Sequence, residues 1–408
     1  MEIMFLKNLL KYNDAKSIVF KKLDELMHSN YESINIIDSW NKISFEDVAA
    51  PENLPMFDKS AMDGYALIAQ DTFGASENNP IILNLVEEGN LIKSNECMKV
   101  STGMAIPNGA NSVVMKEYCI EGDNFVEVRK GVYPYENVSK MGEDVNKGDI
   151  IIKKGEIITP YHIALLSSLG IKNIKVYDIN VGLISTGDEL VDLNNIKDTK
   201  DIEKLKKRGN IINSNTPMLY ALIKEMGFTP KVYGPVVDNK EKIKNTLLKA
   251  IMENDVVITT GGTSVGDRDY TIETIKEIGQ LLLHGVQIRP GKPFGFGVFN
   301  LKDREIPIYI LSGYPVALAV QFELFFRSYF RSRKTLYLPL NRNIPSTLGR
   351  VDMARVIIIN KNNKAYVEPL RISGSGVISS IKRADGYIII DENIEGHEKG
   401  DYVKVYLF

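Results

Sequence analysis

Apolar positions over the first ~45 residues recur at helical spacing. The pattern predicts a helix that Asn13 or Asp14 caps, with one broad apolar face formed by Ile18, Val19, Leu23 and Leu26. From about residue 47 to 140, short β-rich runs such as IILNLV and FVEV alternate with Gly, Asn and Pro turns. We therefore predict a small β-rich domain at 47–140.

Residues 141–178 contain a hairpin signal, VNKGDIIIKKGEII, and then a helix that ends at Gly170. This segment is expected to return and pack with the N-terminal helix. Residues 1–46 and 141–178 would then form one elongated, discontinuous domain, and 47–140 would be an insertion in it.

Strands and helices alternate over residues 179–332. One helix would begin at Ser214 or Asn215 and end at Gly227, and Asp238 is placed to cap the next one. The alternation predicts a parallel sheet with helices on both faces, and ligands of such sheets bind beyond the carboxyl ends of the strands. The charged stretch 196–208 is interpreted as a solvated loop or short helix.

The last part of the chain, 333–408, becomes β-rich again in the runs ARVIIIN, AYVEPLRI, GYIIID and YVKVYLF. The predicted fold class is therefore multi-domain α/β plus β. A central α/β domain at 179–332 would be joined to a β-rich inserted domain and a C-terminal β-barrel-like domain.

Composition narrows the functional classes. The 408 residues are 44% apolar and 25% charged, with a formal net charge of −2, which argues against a nucleic-acid or membrane role. Cys97 and Cys119 form no CxxC motif and the four histidines are scattered, so a disulfide framework and a zinc site are not expected. No signal peptide or membrane span is recognised, and a cytoplasmic location is expected.

A glycine-rich loop, Gly261-Gly262-Thr263-Ser264-Val265-Gly266, follows a nearly continuous apolar strand. Glycines allow a ligand to approach the backbone, and the hydroxyls and the next helix supply anion donors. The sequence matches neither a P-loop nor a dinucleotide fingerprint. We predict a phosphate cradle; a turn required only for packing is the alternative.

Carboxylates stand beside three of these strand ends. Asp188 and Glu189 lie in TGDEL, Asp238 follows another strand, and Asp267 and Asp269 follow the glycine loop. Such carboxylates suit a Mg²⁺ ion bridged to phosphate. Plain helix or turn capping is the alternative for Asp188, Glu189 and Asp238.

Two further loops suit anions. In Arg289-Pro290-Gly291-Lys292-Pro293, prolines fix two cations beside a glycine, which favours phosphate or oxyanion binding over a solvated turn. Ser312-Gly313-Tyr314-Pro315 connects a buried strand to a helix, with Tyr314 available to stack on a planar ring. A tight turn without ligand contacts is the alternative for this segment.

The segments SAMDGYA, STGMAIPNGANSVV, GEDVNKGD, TGDEL, NSN, DVVITTGGTSVGDRDYT, RPGKPFGFG and SGYPVA, taken in order, resemble the molybdopterin molybdenumtransferase family. That family comprises MoeA and the E domain of gephyrin, and the resemblance covers nearly the whole chain. It implies a four-domain homodimer whose C-terminal β domain completes the site across the dimer. A transient contact with the adenylylating enzyme is a further expectation.

The resemblance also implies a reaction: molybdate, or tungstate, enters the dithiolene of adenylyl-molybdopterin and AMP is released, with Mg²⁺ present. It carries catalytic roles to Asp63, Thr102, Asp144, Glu189, Asp238, Asp269 and Lys292. Arg289 would bind anions, and Arg371 and Ser373 in LRISGSG would reach the pterin or metal side of the partner's site.

Three departures from the family pattern bear on specificity. Ser312-Gly313-Tyr314-Pro315 replaces the usual PGNP, Arg289 stands where Lys is common, and Ser139 stands where an Arg often precedes GED. The choice between molybdate and tungstate stays open. Two other functions are also considered: adenylylation of molybdopterin by ATP, against which the flanking β domains argue, and a non-enzymatic pterin-binding scaffold.

Overall fold

A computed structural model describes residues 9–87, 89, 91–262, 270–302, 304–370 and 376–408. Within these ranges, no helix has the length and apolar character needed to cross a bilayer. The predicted site residues Thr263, Ser264, Gly266, Asp267, Asp269, Arg371 and Ser373 lie outside the described residues.

Between residues 9 and 178, the described part of the chain contains α1 (Tyr12–Leu26), β1 (Tyr31–Asn35), β2 (Val48–Ala49), β3 (Lys59–Ser60), β4 (Gly64–Leu67), β5 (Ile81–Leu85), β6 (Glu96–Val100), β7 (Ser112–Met115), β8 (Cys119–Glu121), β9 (Phe125–Val128), β10 (Val138–Ser139), β11 (Ile150–Ile152), α2 (Pro160–Ser168) and β12 (Asn173–Tyr177). Strands β7-β4-β6-β5-β9-β8 make one six-stranded sheet, which confirms the β-rich character of this region. Cys97 and Cys119 are free thiols in it, and burial raises the pKa of each to about 12.

The chain segments that precede and follow this sheet in sequence pair with each other. β1 pairs antiparallel with β12, and β2 pairs with β11. The predicted local hairpin in 145–158 is therefore wrong, because these residues pair with the segment near 43–54 instead. The exact limits of the four domains stay predictions.

Helix α1 departs from the prediction in two respects. The helix ends at Leu26, and a strand and a 3₁₀ turn follow it, so the first ~45 residues are not all helical. Asn13 and Asp14 lie inside its first turn, and the N-cap residue Lys11 makes no side-chain capping bond. Its buried face packs in one cluster with Tyr177 of the returning segment, as predicted, and also with Tyr309 and Phe325 of the α/β region.

The central region contains β13 (Asn180–Ser185), β14 (Leu190–Val191), α3 (Thr199–Arg208), β15 (Ile211–Ile212), α4 (Asn215–Glu225), β16 (Thr229–Val232), α5 (Lys240–Glu253), β17 (Val256–Thr260), α6 (Tyr270–Ile278), β18 (Gln280–His284), β19 (Ile288–Arg289), β20 (Gly295–Leu301), β21 (Arg304–Leu311), α7 (Pro315–Gln321), a π-helical segment (Phe322–Arg327) and α8 (Ser328–Phe330). The predicted helix stops are confirmed at Gly170 and Gly227, which have φ of +73° and +77°. Helix α3 has no buried residue, as predicted for the charged stretch.

The central sheet has the order β16-β13-β17-β21-β20-β18. The first four strands are parallel, as predicted, but β20 and β18 are antiparallel. Leu301 pairs with Arg304, and so short a connection cannot make the crossover that a parallel pair needs. Helices cover both faces: α4 shares a cluster with Val256, while α5 and α6 share one with Val257.

The C-terminal region contains β22 (Thr335–Pro339), β23 (Ile344–Pro345), β24 (Val351–Lys361), β25 (Lys364–Pro369), α9 (Ser379–Lys382), β26 (Gly386–Ile390), β27 (Gly396–His397) and β28 (Tyr402–Leu407). Strands β22, β28, β26, β24 and β25 pair in that order, and a bridge between Leu340 and Val367 leads back to the end of β22. This closure confirms the barrel-like prediction. Strand β19 adds to β24 and so attaches the RPGKP loop to this domain.

Candidate functional site

The loops after β13, β16, β17 and β21 meet at one edge of the central sheet, because these four strands are parallel. Three predicted carboxylates, Asp188, Glu189 and Asp238, stand there with exposed side chains. The Asp238 backbone N–H donates to Asp188 Oδ1 at 2.9 Å. The structure thus brings together residues 50 positions apart in sequence.

Asp238 does not cap helix α5. The N-cap is Asn239, whose Oδ1 accepts a bond from the Lys242 backbone N–H at 3.0 Å. The capping interpretation of Asp238 is therefore wrong, and its carboxylate is left for another role. Partial desolvation, with the negative charges of Asp188 and Glu189 beside it, raises the pKa of Asp238.

Glu189 folds back over the turn that precedes it. A Cβ at Gly187 would lie 2.8 Å from both Glu189 carboxylate oxygens. Across the described residues, no three His, Cys, Asp or Glu side chains are grouped so as to hold a metal ion. The three carboxylates therefore share an edge without converging on one point, and the predicted ligands Asp267 and Asp269 lie beyond what the structure describes.

Gly261 and Gly262 are required by close packing. They have φ of +88° and +64°, and added Cβ atoms would lie 2.3 Å from the Thr186 carbonyl oxygen and 2.5 Å from Thr271 Oγ1, respectively. Packing alone explains these two glycines, so the phosphate-cradle role stays a prediction. The Thr186 and Thr271 hydroxyl oxygens beside them are buried, and neither has a hydrogen-bond partner among the described residues. Unpartnered buried hydroxyls next to such a turn suit a polar ligand.

Substitution of Gly262 tests this packing. We expect Gly262→Ala to destabilise the protein by about 2–4 kcal/mol, because a backbone penalty of about 1–3 kcal/mol adds to a steric clash. Gly209→Ala is the matched control, since Gly209 has a similar φ of +71° and nothing within 4 Å of its added Cβ. Equal thermal unfolding temperatures for the two variants would contradict the packing argument.

A buried glutamine connects two of the loops. Gln321, fully buried, accepts a bond from the Ser312 backbone N–H at 2.7 Å through Oε1 and donates to the Gly291 carbonyl at 2.7 Å through Nε2. Asn215 Nδ2 donates to the Gly313 carbonyl at 2.7 Å. The NSN, SGYP and RPGKP motifs are thereby held in fixed relative positions.

The SGYP segment is the tight turn considered as one alternative. Pro315 occupies the first turn of α7, and the Tyr314 backbone N–H lies 3.2 Å from Ser312 Oγ. Tyr314 remains 62% exposed and so is free to stack on a ligand. The segment is thus a tight turn that also leaves Tyr314 accessible to a ligand. The stacking role of Tyr314 stays a prediction.

The two cations of the RPGKP loop, Arg289 and Lys292, differ in whether they form an ion pair within the described residues. Arg289 forms an ion pair with Asp352, which is fully buried and also accepts bonds from Ser346 Oγ at 2.9 Å and Arg350 Nε at 3.1 Å. Arg289 is therefore anchored to the C-terminal domain instead of standing free. Lys292 is exposed and has no carboxylate partner in the part of the chain that is described. Lys292 is the better-placed anion ligand.

Asp63 and Thr102 meet in the inserted domain. Asp63 Oδ1 accepts bonds from the Thr102 backbone N–H at 2.8 Å and from its hydroxyl at 3.0 Å, and these bonds lower the pKa of Asp63. The remaining partner of Asp63 is Lys116, at 3.4 Å. Asp144 is exposed on the chain segment that pairs at Leu54, and no described bond joins it to Asp63 or Thr102. No described bond joins these residues to the carboxylates of the central sheet.

Sequence reasoning missed Gln321, Asn215 and Asp352. Gln321 carried a usable signal, because it is the one polar residue in the run PVALAVQF. Asn215 was considered as a helix cap and as part of the NSN motif, without a contact being assigned to its side chain. Asp352 carried no local signal, because its partner Arg289 is 63 positions away.

Three family models match successive parts of this chain. Residues 10–170 match the MoeA N-terminal region (domain I and II), 182–332 a probable molybdopterin binding domain, and 337–408 the MoeA C-terminal region (domain IV). A putative molybdopterin biosynthesis protein of Methanocaldococcus jannaschii is 56% identical over 405 residues, which cover 98% of this chain and 99% of that protein. This chain belongs to the MoeA family.

Other MoeA-family proteins agree with this assignment. A molybdopterin molybdenumtransferase of Staphylococcus aureus is 32% identical over 390 residues, covering 90% of this chain and 89% of its own. The crystal structure of the molybdopterin biosynthesis moeA protein of Pyrococcus horikoshii superposes with a TM-score of 0.78 at 32% identity, covering 98% and 100% of the two chains. The predicted family and fold class are confirmed.

Proposed function

We propose that this protein is a transferase that inserts molybdate or tungstate into adenylyl-molybdopterin and releases AMP. The observation that carries the proposal is the shared edge of the central sheet, where three carboxylates, two unpartnered hydroxyls and a glycine turn lie together. Curated relatives named molybdopterin molybdenumtransferase support it. The family assignment itself places the chain in molybdenum cofactor biosynthesis.

The proposed roles follow the chemistry of each side chain. Gly261, Gly262, Thr263, Ser264 and Gly266 would contact the phosphates, with Ser312, Gly313, Tyr314 and Pro315 bordering them. Lys292 would bind the oxyanion, and Arg289 would shape the loop that presents it. Asp188, Glu189, Asp238, Asp267 and Asp269 are the carboxylates that would hold Mg²⁺, which supplies charge neutralisation to the pyrophosphate.

Asp63, Thr102, Asp144, Arg371 and Ser373 belong to other parts of the chain. We propose that they act in a homodimer, in which one protomer completes the site of its partner. Within one chain Asp63 binds only inserted-domain residues, and its carboxylate is half exposed, which leaves it open to such a neighbour. A cytosolic location and a transient contact with the adenylylating enzyme are parts of the same proposal.

Release of AMP tests the proposed activity. Purified protein with adenylyl-molybdopterin, molybdate and Mg²⁺ is expected to release AMP, and it should not consume ATP. AMP formation from ATP and molybdopterin would instead identify the adenylylating enzyme. Binding of the pterin without turnover would identify a scaffold.

The raised pKa of Asp238 gives a pH prediction. If turnover needs the ionised carboxylate, activity falls on acidification at a higher pH than an ordinary aspartate would give, because neighbouring negative charge favours the protonated form. Asp188→Asn removes one of those charges and is expected to move this acid limb to lower pH. The exposed Asp123→Asn, in the inserted domain, is the control. An unmoved limb in Asp188→Asn would show that another group titrates.

A further inference from the structure

A polar cavity of about 320 Å³ lies where α1, the π-helical segment and the C-terminal barrel meet. None of the carboxylates at the sheet edge lines it, and neither does Lys292. The helical run that begins at Pro315, after the SGYP turn, first reaches the cavity at Glu323, about 12 Å along the helix axis. The cavity is therefore separate from the candidate site.

Cationic side chains dominate its lining. The cavity is bordered by one carboxylate, Glu323, and by five cations: Lys16, Arg327, Arg331, Arg333 and Lys404. Such an excess of positive charge at a junction of three elements is electrostatically unfavourable unless nearby negative charge compensates it.

The carboxylates beside the cavity already form ion pairs with two of its arginines. Glu323 pairs with Arg327 at 3.0 Å and with Arg333 at 2.7 Å, and Glu225 pairs with the same two arginines at 2.9 and 3.1 Å. Lys16, Arg331 and Lys404 form no ion pair with any described residue. These three positive charges therefore have no direct ion-pair partner among the described residues, and Arg331 is affected by Glu225 and Glu323 at longer range.

One buried donor at the cavity also lacks a partner among the described residues. Arg327 is 1% exposed, and its Nη1 is buried and forms no hydrogen bond within that part of the chain. Tyr12 and Tyr387 line the cavity, and burial raises the pKa of both phenols, so they remain O–H donors at neutral pH. Burial also lowers the pKa of Lys16 and of Arg331, a penalty that a bound anion would relieve.

We propose that this cavity binds a tetrahedral oxyanion, either as a free phosphate-like ion or as the terminal phosphate of a small ester. Guanidinium and ammonium donors around one point match the oxygens of such an anion. The volume lies at the lower end of small-molecule pockets and leaves room for bridging waters. The bound anion would tie α1, the helical run and the barrel together. This inference does not depend on the proposed function.

Calorimetric titration with inorganic phosphate at constant ionic strength tests the site. Wild type is expected to show saturable phosphate binding at this cavity, and Lys16→Gln and Arg331→Gln are each expected to weaken that binding at least about tenfold, since each removes a charge-assisted bond. Lys21→Gln is the matched control, because Lys21 lies on the exposed face of the same helix and does not line the cavity. Its affinity should equal that of wild type.

Lys292→Gln separates this site from the proposed substrate site and should leave phosphate affinity unchanged. The proposal is overturned if wild type shows no saturable binding, if Lys16→Gln and Arg331→Gln bind as wild type, or if only Lys292→Gln loses binding. Circular dichroism of each variant confirms folding. Either source of anion supports the site: tighter binding of glycerol 3-phosphate than of phosphate identifies an ester, and equal or weaker binding identifies the free ion.

Discussion

Asp238→Asn is expected to slow AMP release by about 10²–10³-fold, the usual cost of removing one group that stabilises charge in a transition state. Asp238 stands beside Asp188 and Glu189 at the strand edge and caps no helix. Its raised pKa means that the folded protein disfavours the ionised form. Above that pKa, neutralisation should therefore maintain or slightly raise the unfolding temperature while activity is lost.

The neighbouring residue provides the control. Asn239→Ala removes the real N-cap of α5 and should cost about 1 kcal/mol of stability with little change in rate. We therefore expect Asp238→Asn to lose activity and keep its stability, and Asn239→Ala to lose stability and keep its activity. A stable, fully active Asp238→Asn protein would remove this carboxylate from the proposed chemistry.

Asp352→Asn is expected to reduce the free energy of unfolding by about 3 kcal/mol. Breaking a buried ion pair on one side costs about 3–5 kcal/mol, and the lower end applies because Arg289 and Arg350 are 38% and 32% exposed and can be hydrated. Released from Asp352, Arg289 would also loosen the RPGKP loop, so we expect a higher KM for molybdate. Denaturant unfolding and initial-rate kinetics measure the two effects.

Asp385→Asn, in the same domain, is the comparison for Asp352→Asn. Asp385 is a partly solvated carboxylate that accepts the Ile358 backbone N–H at 2.7 Å, so its loss should cost about 1 kcal/mol and leave KM unchanged. If Asp352→Asn were no less stable than Asp385→Asn, the buried pair would not hold the loop.

Local signals in the sequence were enough to predict most elements of the fold. The apolar runs at β13 and β17 and the glycines after α2 and α4 specify strands and helix ends through their own residues. Pairing over long distances is not a local property. The antiparallel β20 and the β2–β11 pair depend on partners far along the chain, and there the predictions were wrong.

The residues of the candidate site also fall into those that local sequence predicts and those that depend on distant partners. The residues after each parallel strand were predicted to share an edge because strand direction alone places them there, and Asp188 and Asp238 do meet. Gln321 and Asp352 act by joining loops that are distant in sequence, so no motif contains them. The choice between capping by Asp238 and by Asn239 depended on one residue of helix register, which hydrophobic periodicity does not resolve.

The stoichiometry of metal insertion tests the central claim most directly. Purified protein would be incubated with adenylyl-molybdopterin, Mg²⁺ and molybdate, and both the AMP released and the molybdenum bound to pterin would be measured. We predict one molybdenum inserted for each AMP released, and little AMP without molybdate. Rapid AMP release that is independent of molybdate, or molybdenum insertion without AMP, would contradict it.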